Sequence, residues 1–385
     1  MVPATRLEHR QRAKAPGGIE RQDFIDGMRG LASLYVVLHH VWLQVWPVGH
    51  FPTGLIMAST GWLMWGHFAV SIFIVVSGYC LTLPVARRGR RDFSAVLFLK
   101  RRARRILPPY YLSFLFTGVL VYAYIGHKTG THWDAALPPT LARISHGLLL
   151  VPEFGTINHV YWSIGVECKI YLLFPLLLML FGWFGVLRSV AVTTVLTFCV
   201  SYAIRGNLWS ALSPHYIGLF CFGAAAAYIV NSPELFWNRV RGSRLWEVCL
   251  IGAFLTTTFL LRVWGFMEYR FFAVDLFVGL GGTALLIICG RSPSNPMRHV
   301  LSWRPLVFVG TFSYSLYLIH APLLQVAWQS IISGLFQGQV SRFLALLVLG
   351  VPFVLVCAWG FYRVCEKPFV PKGGPLLRPA TSRTP

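Results

Sequence analysis

Acidic residues are scarce: 13 Asp and Glu stand against 34 Lys and Arg in 385 residues, and charged residues of both signs make up only 12%. A soluble domain carries about a quarter, so this composition excludes one. Paired cysteines are missing as well. The eight cysteines include no Cys-x-x-Cys, which argues against a thiolate metal site or a disulfide framework. No unit of about 20–50 residues repeats. No apolar stretch precedes Leu31 and no Gly-x-Ser-x-Gly elbow is present, so neither a cleavable signal peptide nor a hydrolase nucleophile turn is expected.

What is there is apolar, at 56% of the chain. About 20 apolar residues at a rise of 1.5 Å cross a hydrocarbon core roughly 30 Å thick. Ten runs of that kind lie near residues 31–46, 66–83, 107–126, 168–187, 189–204, 214–230, 246–264, 271–289, 305–333 and 342–362. The fold class expected is an all-α, polytopic membrane helix bundle. A membrane domain over 24–370 would be flanked by disordered basic tails at 1–23 and 371–385, with no soluble domain appended.

The net charge of +21 raises nucleic acid as a partner, and the placement of the charges decides against it. With the N-terminus in the cytoplasm, only Lys128, Arg143, Arg205, Arg262, Arg270 and Arg342 fall in outer segments, and Lys169 lies inside a run; every other Lys and Arg is on the inner side. The positive-inside rule then puts both ends in the cytoplasm. The basic surface faces anionic headgroups or an anionic cytoplasmic substrate.

Polar residues within the runs carry the functional reading. Asp26 is placed to cap the first helix. Arg29 and His40, eleven residues apart, share one face and sit roughly 16 Å apart along the axis, while His39 points elsewhere. An ionisable group at that depth is a site candidate, and neutral imidazole is the commonest general base near pH 7; the competing reading is a hydrogen bond across a helix contact. Arg102 and Arg105 share a face where the chain re-enters the membrane, suited to bidentate phosphate binding or to an anionic-lipid anchor. In YWSIGVECKIYLLFP, Trp162 fits the interfacial aromatic belt. Glu167 complements a helix N-terminus or serves as base or orienter, approaching the depth of His40 from outside, and Tyr171 follows on its face. Ser77 and Gly78 read first as helix packing. Asp275 should face the bundle interior, and Tyr317 with His320 forms another buried polar pair. Glu366 reads as structural. His127, His132, His146 and His159 fall at irregular spacings in an outer loop, and no metal is expected there.

In order along the chain, DGMRG with His40, VSIFIVVSGY, RRARRILPPYY, YWSIGVECKIYLLFP, SYSLYLIHAP and EKPF resemble the motifs of the membrane acyltransferase 3 family, the multi-pass O-acyltransferases of envelope and exported glycans. The resemblance covers most of the chain, departing at the His-His doublet, at Cys168 and Lys169 and at Tyr79. It implies transfer of an acyl group, usually acetyl, from cytoplasmic acyl-coenzyme A as co-substrate to a hydroxyl on a glycan or glycolipid at the inner or plasma membrane, with no bound cofactor. Arg29, Arg102 and Arg105 would hold coenzyme A phosphates. His40 would be base or acyl acceptor, and Glu167 would orient the imidazole or the acceptor. The rival class is a carrier or flippase using buried His, Glu and Asp as a proton relay, against which no paired internal repeat is found. Acceptor identity, acyl length and oligomeric state are not set by the sequence.

Overall fold

The chain is described by a computed structural model over residues 22–90, 93–151, 156–206, 208–265 and 270–370. The expected tails at 1–23 and 371–385 lie outside these residues, apart from Gln22 and from Asp23, which is already helical. Eleven helices build the body: α1 (Asp23–Val45), α2 (Gly54–Arg88), α3 (Ala95–Ile125), α4 (Trp162–Phe184), α5 (Val186–Ile204), α6 (His215–Asn231), α7 (Leu245–Trp264), α8 (Phe271–Arg291), α9 (Arg304–Thr311), α10 (Ser313–Leu335) and α11 (Gln339–Phe369). Among the described residues no β-strand occurs, and nine helices, α2 to α8 with α10 and α11, are long and apolar enough to cross a membrane.

The remaining long helix, α1, falls outside that class because it carries Asp23, Asp26, Arg29 and two histidines, yet most of its residues are buried within the bundle. Phe24, Val37, Val41 and Trp42 are fully buried on it. Helices α2, α9 and α10 surround it. Close approach explains how. A Cβ on Gly27 or Gly30 would collide with the carbonyl oxygens of Leu301 and Leu306, and one on Gly310 with the carbonyl of Asp26. Hydrocarbon tails give helices no hydrophobic reason to associate, so backbone contact of this kind carries the packing.

Two sequence expectations are corrected here. The run 305–333 is not one helix: it breaks at Phe312 into α9 and α10, which lets α9 lie against the glycine face of α1. Asp26 is not the cap of α1 but stands in its first turn, the N-cap position being Gln22.

Helices α2 and α6 make the closest long pair, with Gly78 seated on the carbonyl of Phe220 and Gly223 on that of Val75. At the periphery, only Ala253 of α7 is buried, while Phe254, Leu255, Phe259 and Val263 are more than half exposed. Such an apolar surface belongs against lipid. At the other end of the core, Glu366 ties α11 to the start of α10 by accepting from Ser315 N–H at 3.1 Å and Ser315 Oγ–H at 2.5 Å, which is the structural role the sequence suggested.

Candidate active site

Two recesses open along α1, one at each end of the Arg29 to His40 face. The larger, of about 620 Å³, is walled by His40, His67, His132, His159, Trp162, Ser201, His215, Asp275 and Tyr317. The smaller, of about 70 Å³, is walled by Arg29, Ser77, Arg102, Arg105, Glu167 and Tyr171.

The loop between α3 and α4 supplies two walls of the large cavity. It is strapped to the bundle by Thr131 Oγ1, which donates to Gln325 Oε1 at 3.1 Å, while Gln44 Nε2 donates to the same oxygen at 2.5 Å. Asp134 closes the local turn by accepting from the N–H groups of Thr129 and Gly130. Further on, Asn158 Nδ2 donates to the carbonyl of Leu318 at 3.1 Å. These ties set His132 and His159 over His40, with His40 Nδ1 and His159 Nε2 3.4 Å apart. Burial pushes the His132 imidazole down to about 4 and that of His159 well below its ordinary value, so both are neutral at pH 7.

On the facing wall, His215 Nε2 meets Asp275 Oδ2 at 3.1 Å and its Nδ1 meets Ser201 Oγ at 3.3 Å; Ser71 Oγ donates to the other oxygen of Asp275. Asp275 thus faces the interior, as its cost in lipid demanded, and gains two partners. Breaking a buried pair by removing one member costs about 3–5 kcal/mol. Asp275→Ala should therefore lower the thermal midpoint of the detergent-solubilised protein markedly; an unchanged midpoint would show that the network contributes nothing to stability.

The small recess gathers the other predicted polar groups. Ser77 Oγ donates to Glu167 Oε1 at 3.0 Å and lies 3.2 Å from Tyr171 Oη, which itself donates to Glu167. Among the described residues, Arg102 Nε is buried with no hydrogen-bond partner, which leaves a donor for an anion. Glu167 therefore sits with the arginines and does not line the cavity of His40. Gly78 serves packing, as expected, whereas its neighbour Ser77 belongs to this polar group. Between the two recesses, Tyr317 Oη joins Ser163 Oγ at 2.7 Å and donates to the Val160 carbonyl at 2.9 Å.

Trp162 departs from the aromatic-belt expectation. It is buried and stacked on His67, ring centroids 5.4 Å apart and planes within 13°, because the loop before α4 folds inward and carries it off the surface. Tyr317 and His320 are buried, and the imidazole meets backbone in place of the phenol hydroxyl, His320 Nδ1 donating to the carbonyls of Leu316 and Tyr317. His39 also lines the large cavity while its Nδ1 donates to the Leu63 carbonyl at 2.9 Å. Sequence reasoning singled out none of His67, Ser201 and His215, and it set His132 and His159 aside. Their convergence is tertiary, and only the histidine content of the 127–162 loop hinted at it.

The family model described as an acyltransferase domain matches residues 22–363, which include every residue that walls the two recesses. This chain belongs to the acyltransferase 3 family. Among curated relatives, the acyltransferase 3 chain is 27% identical over 372 residues to the putative peptidoglycan O-acetyltransferase YrhL of Bacillus subtilis strain 168, covering 91% of this chain and 55% of that protein. The peptidoglycan O-acetyltransferase OatA of Listeria monocytogenes is 24% identical, over 78% of this chain and 49% of its own length. The O-acetyltransferase OatA of Staphylococcus aureus is 24% identical, over 91% of this chain and 57% of its own. The acyltransferase 3 chain thus spans about half the length of the curated relatives it matches. No solved structure matches it.

Proposed function

We propose that the chain is a membrane O-acyltransferase that moves an acyl group, acetyl first, from cytoplasmic acyl-coenzyme A to a hydroxyl of an envelope glycan or glycolipid at the inner or plasma membrane. The observation that carries this reading is the pairing of recesses along α1: arginines around Arg29 at one end, imidazoles around His40 at the other. The charge placement supports a cytoplasmic position for the arginine end. There Arg29, Arg102 and Arg105 take the phosphates, and the unpartnered Arg102 Nε offers a ready donor. The thioester arm follows the α1 face toward His40. The acceptor enters the large cavity, where His40 promotes attack of its hydroxyl on the acyl carbon; the C–O bond forms, the C–S bond breaks, and the hydroxyl proton ends on the departing sulfur to give free thiol. Glu167 holds Ser77 and Tyr171 beside the phosphate-binding arginines. Relatives named for peptidoglycan O-acetylation make a peptidoglycan sugar the first acceptor to try, with O-antigen, capsule and exopolysaccharide sugars behind it.

The test supplies labelled acetyl-coenzyme A to membranes and follows label into glycan together with release of free thiol. Transfer requires both. Movement of a glycan across the membrane without thiol release would replace the enzyme by a carrier. Arg102→Ala should raise the KM for the acyl donor about tenfold or more, one charged hydrogen bond contributing about 1.5–3 kcal/mol, with kcat little changed. An unaltered KM in both Arg102→Ala and Arg105→Ala would move the donor site elsewhere.

A further inference from the structure

The His40 ring is crowded by its own kind. The ring centroids of His39, His159 and His320 each lie 4.9 Å from it, and that of His132 lies 5.7 Å away. A neutral imidazole has one donor and one acceptor. His39 and His320 have spent their donors on backbone carbonyls, which fixes their tautomers and leaves a lone pair on each Nε2. Among the described residues, His320 Nε2 is buried with no hydrogen-bond partner. The cluster has more acceptors than donors, a surplus that a cation corrects.

Spacing narrows the choice of cation. One nitrogen from each of His40, His132 and His159 lies within 4.8 Å of the other two. The closest approach, 3.4 Å between His40 Nδ1 and His159 Nε2, is long for a hydrogen bond. It matches the edge of a tetrahedron whose metal to nitrogen bonds are about 2.0–2.1 Å, roughly 3.3–3.4 Å. We infer that His40, His132 and His159 form a binding site for a zinc-class divalent ion, with the fourth position open to the large cavity. An all-imidazole set suits zinc and its neighbours in preference to magnesium or calcium, and three protein ligands with one free position is the arrangement of a site that takes an oxygen ligand. The role of the ion rests on the proposed reading of the cavity as the acceptor's. A sugar hydroxyl in the open position is polarised by the ion, and His40 acts on it as a ligand. The two loop histidines then have a reason to be carried so far inward.

Full-length protein purified in detergent without chelator, from zinc-supplemented cells, is expected to carry about one zinc per chain by mass spectrometry. Cobalt(II) exchanged into it should give the intense visible bands of a tetrahedral site. His132→Ala, and the more conservative His132→Gln, should lower bound metal at least about tenfold, while His127→Ala, whose exposed imidazole rests on Gln329 outside the cluster, keeps it. Both readouts need neither acyl donor nor acceptor. A zinc-loaded protein that transfers no acyl group would therefore remove the proposed activity and leave the site standing. Folded wild-type protein with under about a tenth of an ion per chain and no cobalt bands, or full retention of metal by both His132 variants, overturns the site.

Discussion

His40→Ala is expected to reduce acyl transfer at least a hundredfold while leaving the protein folded. Assistance to a reacting hydroxyl by a positioned group contributes about 10²–10⁴-fold, and His40 is the residue of α1 on which the cavity histidines converge. The fold should tolerate the change because α1 is held by its glycine face and its buried Phe24, Val37 and Trp42, on which the imidazole has no bearing. The measurement is labelled acetyl incorporated per chain at matched protein level, with the thermal midpoint as control. Wild-type-like transfer would return His40 to helix packing. A collapsed midpoint would show that the imidazole cluster is part of the fold's framework.

Gly223→Leu is expected to abolish accumulation of folded protein. The backbones of α2 and α6 touch at Gly223 and Gly78, so an added side chain meets carbonyl oxygens that cannot rotate away. Overpacking against movable side chains costs about 1–3 kcal/mol, and displacement of a whole helix costs more. The matching control is Gly252→Leu on α7, where a Cβ meets nothing within 4 Å and the position faces outward. Size-exclusion profiles of the two variants in detergent should differ sharply, with Gly252→Leu resembling wild type. Equal profiles would mean that the two long helices can separate without loss.

The bundle was legible because hydrocarbon imposes one solution on the backbone: apolar runs of the right length must be helices. The spacing of Arg29 and His40, and of Glu167 and Tyr171, was legible for the same reason, since a helical period fixes which residues share a face. A face does not name its partner. Glu167 lies on the expected face but meets Ser77 and the arginines, and His40 meets histidines from a loop with no period to read. Trp162 and Asp26 were misplaced by rules for surface belts and helix caps, which tertiary contacts overrode: inward folding of the loop in one case and an earlier helix start in the other. His215 and Ser201 gave no local sign at all, lying at one helix start and near another's end until Asp275 and the cavity gave them a setting.

The seating of Gly27 and Gly30 against Leu301 and Leu306 bears on how the protein is made. Helix α1 carries Asp23, Asp26, Arg29 and two histidines, polar groups that lipid does not satisfy. Its seat is synthesised more than two hundred residues later, on the order of tens of seconds at ordinary translation rates. Helix α1 therefore precedes by a long stretch of synthesis the backbone against which its glycines pack.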